Sequence, residues 1–549
     1  MSQQSYKIHD LQKNIYRYMR QKARGYEGEL PRELKSYRTN MQRLSKRDFA
    51  DSDFKELMKS IHHSSIVYLG DFHTFDQSSR NLQRLVKNLV QKKKKLILGV
   101  EFVQYIHQER INQYLNHHIT EFEFLESINY KESWRFPWYH YRVFFELARQ
   151  NKLKIVALNS HGGLKERDQF ASDLLVEHIY DNPDAIFLVL FGEYHIARNK
   201  LPKCVERKIP FPIRQTIIHQ NLDQVYWNME DKQKRPTSQI IKFNESEFSL
   251  QTSPPWIKYE SMIHWYENLI EDPSFELHNY MLETGFMALN SSVPDTFVYV
   301  CQQLSKTLNF KVSKLLLEDF NIYDHQNMDF VLGLVNQLPQ KNLVKHFSNS
   351  VIKGKKFKIP FARNYYCSSY SINRISFLAG LHLLDLFQAG HNENYEKILL
   401  GKDQTQKFIF LCYQMMMGYF SSKLINPYRK CDLYMDIVRR LHSPLTPNYV
   451  KKDLRITKRV LDLTDTNSTE ELHFILKGTR LSSLYQCAKN VGYILGDFLF
   501  DSHYKKSDRE FSQTINYLQK GDFEVKQFQK MLRKLLPTQN YRKSQKRLF

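Results

Sequence analysis

Two apolar runs in this chain end on the same residue types. SIVYLG at 65–70 is followed by Asp71, Phe72 and His73, and FLVLFG at 187–192 by Glu193, Tyr194 and His195. Each reads as a strand, a glycine, an acid, an aromatic ring and a histidine. Gly70 and Gly192 suit the sharp turn that ends a strand. The acid and the imidazole then project from the carboxyl edge of a sheet, where open α/β sheets bind ligands. Two imidazoles facing one crevice beside carboxylates can hold a metal ion, or one can act as a general base while the other binds an oxyanion. A third acid, Glu101, closes the run LILGV at 96–100 and can ligate a metal or orient a histidine. A lone strand-end histidine is more simply a hydrogen-bonded turn residue. The paired occurrence, with Glu101, favours a site.

Such a crevice needs a sheet to hold it. Between 64 and about 220, short runs rich in Val, Ile and Leu (65–70, 96–102, 154–159, 185–192 and 215–219) alternate with amphipathic stretches. That alternation predicts a parallel-type β-sheet flanked by helices. Leu82, Leu85, Val86, Leu89 and Val90 share one helical stripe, and Thr120 three residues before Glu123 forms a capping-box pattern that predicts a helix start. Further helices are expected from near Pro137 and from about Glu166, the latter ending at Asn182 and Pro183. Residues 223–256 lose the pattern, and the chain beyond them has helix-length apolar segments. The expected organisation is a basic helical lead-in over 1–60, an α/β domain over 61–225 and a mostly α-helical C-terminal half over 257–549.

The strand-end motifs resemble the superfamily that joins the ChaN haem-uptake proteins, the erythromycin esterases and the Tiki/TraB metalloproteases, whose shared mark is a pair of GxxH motifs. The likeness spans about residues 60–220 and is strongest towards ChaN. GDFHTFDQ follows the first strand, GVEF the second, ALNSHGGLKERDQFASDLL the third and FGEYHIARNKLP the fourth. The resemblance implies a pocket core of Gly70, His73, Glu101, Gly192 and His195. Arg167 and Asp168 match an Arg-Asp pair that precedes a helix, and Pro202 matches the proline after the second motif. Asp71 stands where ChaN proteins usually carry Glu. The same resemblance places Trp134, Trp138, Tyr139 and Tyr141 near the pocket mouth, although their plain reading is packing.

The residues support two classes of function. One is a binding protein holding haem, iron or another metal-containing ligand, with Gly70, Asp71, Arg167, Asp168, Gly192 and Tyr194 lining the site and Tyr194 or histidine available to iron. The other is an esterase or metal-dependent peptidase. There His73 or His195 activates water directly, or through a divalent metal held by His73, Glu101, Glu193 and His195. An interaction scaffold with a degenerate site is a third reading. The expected cofactor is haem or a divalent metal ion.

Over 549 residues the balance of 80 Lys+Arg against 58 Asp+Glu leaves +22, which favours anionic partners, and the tail YRKSQKRLF suits non-specific phosphate contact. Six cysteines without a CxxC pair argue against a zinc ribbon or a disulfide scaffold and for a reducing compartment. The first 25 residues carry charges throughout, so no leader is read and the cytoplasm is the expected location. No run is long enough to span a membrane. Asp385 and Asp497, inside apolar helices, are expected on an exposed stripe or in hydrogen bonds.

Overall fold

All five apolar runs become strands of one sheet. In chain order its members are Ala50–Ser52 (β1), Ile66–Asp71 (β2), Leu96–Gln104 (β3), Lys154–Asn159 (β4), Ile186–Gly192 (β5), Gln215–Gln220 (β6), Ile240–Asn244 (β7) and Glu247–Leu250 (β8). They lie side by side in the order β1-β7-β8-β6-β2-β5-β3-β4. From β8 to β4 every pairing is parallel, and β7 joins β8 and β1 antiparallel at one end. The structure is a computed structural model and describes residues 3–27, 32, 35–36, 39–40, 43, 46–231, 239–271, 293–392, 394–465, 469–505, 508–521, 523–536 and 541–545. Pro31, most of the polar stretch 231–239, and the last four residues of the basic tail lie outside them.

The strand residues are apolar in unbroken runs because both faces of the sheet are covered. Successive side chains point to opposite faces. Val67, Leu69, Leu98, Val100, Leu188 and Leu190 therefore enter a core with the helices Asp76–Gln91 and Arg142–Asn151. Ile66, Tyr68, Ile97, Phe187 and Val189 enter a second core with the helices Leu164–Asp181 and Leu201–Lys208. Helix starts follow local chemistry. Thr120 N–H donates to Glu123 Oε2 at 2.7 Å and Thr120 Oγ1 accepts from Glu123 N–H at 3.3 Å, the reciprocal pair that opens Glu121–Ser127.

The sheet runs on past residue 225, through the stretch that reads from sequence as a boundary. β7 and β8 form there because Ile240, Ile241, Phe248 and Leu250 find buried positions, while Glu245 and Ser246 make the turn, with Ser246 N–H donating to Asn244 Oδ1 at 2.9 Å. By their contacts the described residues divide into two units, 19–271 on one side, and 3–18 with 293–545 on the other.

The second of these units is mostly helical, built on Ile372–His391, Gln404–Ile425 and Leu481–Lys505. It also carries a small sheet, Asn321–Tyr323 (β9), Lys356–Ile359 (β10) and Asn364–Cys367 (β11), in the order β10-β11-β9. Glycines let the helices approach closely. A Cβ on Gly380 would lie 2.8 Å from the Met417 carbonyl oxygen, and one on Gly496 2.7 Å from that of Met416. Asp385 and Asp497 are buried and paired, Asp385 with Lys358 Nζ at 3.0 Å and the Tyr395 hydroxyl, Asp497 with Lys423 and the Tyr419 hydroxyl. Among the described residues no helix is long and apolar enough to cross a membrane, and all six cysteines are free thiols.

Candidate functional site

Strand order brings the distant motifs together. β2 and β5 are neighbours with Gly70 level with Phe191 and Asp71 level with Gly192, and β3 flanks β5 on its other side with Val100 level with Leu190. The carboxyl ends of the three strands thus carry His73, His195 and Glu101 to one place. Glu101 lies between the imidazoles, its carboxylate oxygens 3.9 Å from His73 Nε2 and 3.7 Å from His195 Nε2.

Each imidazole is held from behind by its own carboxylate. His73 Nδ1 lies 2.9 Å from Asp71 Oδ2, and His195 Nδ1 lies 2.6 Å from Asp168 Oδ1. An ionised carboxylate only accepts, so both Nδ1 atoms carry the proton and both Nε2 atoms turn towards Glu101. Asp71 also accepts from the Tyr141 hydroxyl at 3.0 Å, and the His73 carbonyl accepts from His140 Nδ1 at 3.2 Å. The acid-aromatic-histidine spacing therefore serves two purposes. In the first motif the acid clamps its own histidine. In the second, Glu193 does not, and Asp168 from the start of Leu164–Asp181 takes that role.

Glu101 is fixed just as firmly. Arg167 Nη2 donates to Oε1, the Gly192 N–H donates to Oε2 at 2.5 Å, and Arg167 Nε donates to Asn159 Oδ1 at 2.8 Å. Gly192 has a steric reason to be glycine, since a Cβ there would lie 3.2 Å from Glu101 Oε2 and 3.3 Å from His73 Nε2. Gly70 packs under Ile196 and Glu193, where a Cβ would meet Ile196 Cδ1 at 3.0 Å.

The cluster is buried on one side and open on the other. Side-chain exposure is 4% for Glu101 and His195 but 23% for His73 and 19% for Arg167, so approach from solvent is along the His73–Arg167 rim. The rings of Trp134 and Phe136 stand 4.7 and 4.9 Å from the His73 ring and form an aromatic side to that rim. Trp138 packs with Phe124, Tyr130 and Phe145 in the core, and Tyr139 is exposed. Tyr194 is half-buried in the turn after β5.

Glu193 stands apart from the three converging groups. It is buried near Lys258, His219 and Asp223, its Oε1 has no hydrogen-bond partner, and burial pushes its carboxyl above the ordinary range. Among the described residues, no group of three or more His, Cys, Asp or Glu is disposed to hold a metal ion. Arg167 holds its guanidinium against Glu101 at this site.

Charge sets the protonation of the core. Burial acts to raise the Glu101 carboxyl, but His73, His195, Arg167 and the Gly192 N–H outweigh it and hold it below the ordinary range. Burial likewise acts to lower His73, and the bond and charge of Asp71 with the charge of Glu101 overcome it, so this imidazole titrates above its ordinary 6.5. Protonated His73 therefore stabilises the folded state, a contribution complete below 6.5 and lost as pH rises through the raised value. The melting temperature of wild type minus that of His73→Ala is expected to narrow as pH rises from about 6.5. A gap constant over that range would contradict the assignment.

Phe136 and Asn159 escaped the sequence reading. Phe136 lies in an aromatic-rich loop whose only local signal is packing. Asn159 does carry a strand-end signal, closing the run KIVALN.

Residues 57–167 match the family model described as haem-binding uptake, Tiki superfamily, ChaN. The resemblance read from the motifs is thereby met over that span. The match contains Asp71, His73, Glu101 and Arg167, while Asp168, Gly192, Glu193 and His195 lie beyond it. A solved structure described as cofacial heme binding to ChaN of Campylobacter jejuni is similar over 32% of this chain and 91% of that one, at 14% identity and a TM-score of 0.26. No curated protein matches the chain.

Proposed function

We propose that the crevice at the carboxyl ends of β2, β3 and β5 binds haem or a related iron-bearing ligand, with His73 as the residue that meets it. The carrying observation is the His73 imidazole, tied through Nδ1 to Asp71 at 2.9 Å, partly open to solvent and lined by Trp134 and Phe136. The donor set fits the group. An imidazole whose second nitrogen is held by a carboxylate is the arrangement that orients a ligand to iron, and aromatic rings beside it suit a flat apolar macrocycle. The family matched over 57–167 is one described by haem binding, which supports the same ligand class. Bound haem would supply the redox and ligand chemistry of its iron. The chain supplies an imidazole held by Asp71 and a rim cation, Arg167, held by Glu101.

Haemin titrated into the full-length protein is expected to give a saturable shift of the Soret band. An absorbance trace that is the sum of its components would overturn this reading.

A second reading is favoured by the pairing of Nε2 atoms about Glu101, 3.7 and 3.9 Å from its oxygens. Imidazoles held by carboxylates can take a proton from water and deliver it to a leaving group, as an ester or peptide hydrolase requires. Turnover of ester or peptide substrates, screened with and without manganese, cobalt or zinc and abolished by His73→Ala, would move the assignment to hydrolysis.

A further inference from the structure

The helical unit treats its lysines in two ways. Lys358 and Lys423 are buried and each sits on carboxylates, Lys358 on Glu396 at 2.8 Å and Asp385 at 3.0 Å, Lys423 on Asp497. A second group of cations in the same unit has no such partners. Among the described residues, no Asp or Glu oxygen lies within ion-pair distance of Lys355, Lys356, Arg374, Arg429 or Lys489. The nearby Asp432 is engaged by Arg440 at 2.7 Å.

These cations are gathered on one short row of rings. Lys356, at the start of β10, places Nζ 4.4 Å over the Phe377 ring, and that ring lies 5.9 Å from Tyr493. Lys489 stands 5.6 Å over Tyr493, Tyr493 lies 4.7 Å from Tyr419, and the Arg429 guanidinium stands 5.2 Å over Tyr419. Arg374 is tied to the same corner. Its Nη1 donates to Ser368 Oγ and Ser369 Oγ, each at 3.0 Å, and Ser368 Oγ donates to the Gly354 carbonyl two residues before Lys356. Arg429 Nη1 donates to Ser422 Oγ and, at 3.3 Å, to the carbonyl of Asn373, the residue before Arg374. Neutral oxygens thus aim both guanidiniums while leaving their charges uncancelled. The corner also holds the start of Ile372–His391, whose first N–H groups add positive partial charge.

Packing like charges together costs stability unless an anion joins them. Burial, and then the charges of Arg429 and Lys489, push the Lys356 ammonium down to about 7.

We propose that this corner of the helical unit, formed by Lys356, Arg374, Arg429 and Lys489, is an oxyanion site that takes a phosphoryl group. Two oriented guanidiniums suit the paired oxygens of a phosphate, and the flanking ammoniums supply point charge. The group can arrive on a free phosphorylated small molecule or on a lipid headgroup, since both present the same oxygens.

Pyrophosphate titrated calorimetrically into the full-length protein is expected to bind saturably. Lys489→Gln, at an exposed position, and Arg374→Gln should each weaken that binding roughly tenfold or more, while Lys452→Gln on an exposed helix face should not. Without ligand, Lys356→Gln is expected to slow hydrogen exchange in β10 and the start of Ile372–His391, because it removes repulsion, and to abolish the further slowing that pyrophosphate gives wild type. Sedimentation with phosphatidylcholine vesicles, with and without phosphatidic acid, separates the two sources. Acid-lipid-dependent binding lost in the same variants assigns the site to a headgroup, and pyrophosphate binding alone assigns it to a soluble ligand. Failure to bind either probe, or binding unchanged in both Lys489→Gln and Arg374→Gln, would overturn the proposal.

Discussion

Haemin binding to His73→Ala is expected to be weaker than to wild type by at least about a hundredfold, with the Soret shift lost at concentrations that saturate the parent. The magnitude comes from the group that the substitution removes. Loss of a group behind a metal ligand costs roughly 10–100-fold in affinity, and loss of the ligand itself should cost no less. Asp71→Asn keeps the size of the residue but not the charge that holds His73 Nδ1 at 2.9 Å, so it should fall within that roughly 10–100-fold range. His195→Ala should also weaken the shift, since His195 faces the same carboxylate at 3.7 Å, though it is 4% exposed and stands behind the rim. An unchanged spectrum in both His73→Ala and His195→Ala would exclude the crevice as the haem site. Far-ultraviolet circular dichroism of each variant separates loss of binding from loss of fold.

Glu101→Ala is expected to destabilise the sheet unit by about 3–5 kcal/mol, the usual result of removing one partner from a buried ion pair. The alanine would leave Arg167 without its carboxylate, the Gly192 N–H without its acceptor and two imidazoles facing empty space. Glu101→Gln keeps an acceptor for Gly192 and should cost less. All five tryptophans, Trp134, Trp138, Trp227, Trp256 and Trp265, lie in this unit, so urea unfolding followed by their fluorescence reports on it. The pH dependence has a defined sign. The folded Glu101 carboxyl is depressed below its ordinary 4.5, so its contribution is present above 4.5 and is lost as pH falls through the depressed value. The gap between wild type and Glu101→Gln should close as pH falls below about 4.5. A gap that widens below that pH would mean that Glu101 is not the charged centre of the cluster.

Much of the scaffold is legible because the signals are local. The runs at 65–70 and 185–192 read as buried strands through their unbroken apolar content, and Thr120 with Glu123 marks a helix start through reach along the chain alone. Local signals fade where elements are short or borrow their stability. β9 has three residues, too few for any period to show. β7 also pairs with β1 and β8 with β6, strands distant in sequence, and their polar turn reads as a linker. The ion pairs at Asp385 and Asp497 depend on lysines that lie 27 and 74 positions away, and nothing in the neighbouring residues announces them.

Which groups stand at the strand ends is written along the chain: two imidazoles, three acids and the glycines that let the backbone turn there. A few consecutive residues are enough to specify a strand, its turn and the side chain that projects from it. Three-dimensional packing alone sets β2, β5 and β3 side by side, makes Asp168 rather than Glu193 the clamp on His195, and closes Arg167 on Glu101. Strand order depends on how helices cross and which faces they bury, so adjacency across more than a hundred residues has no local signature for a periodic pattern to reveal.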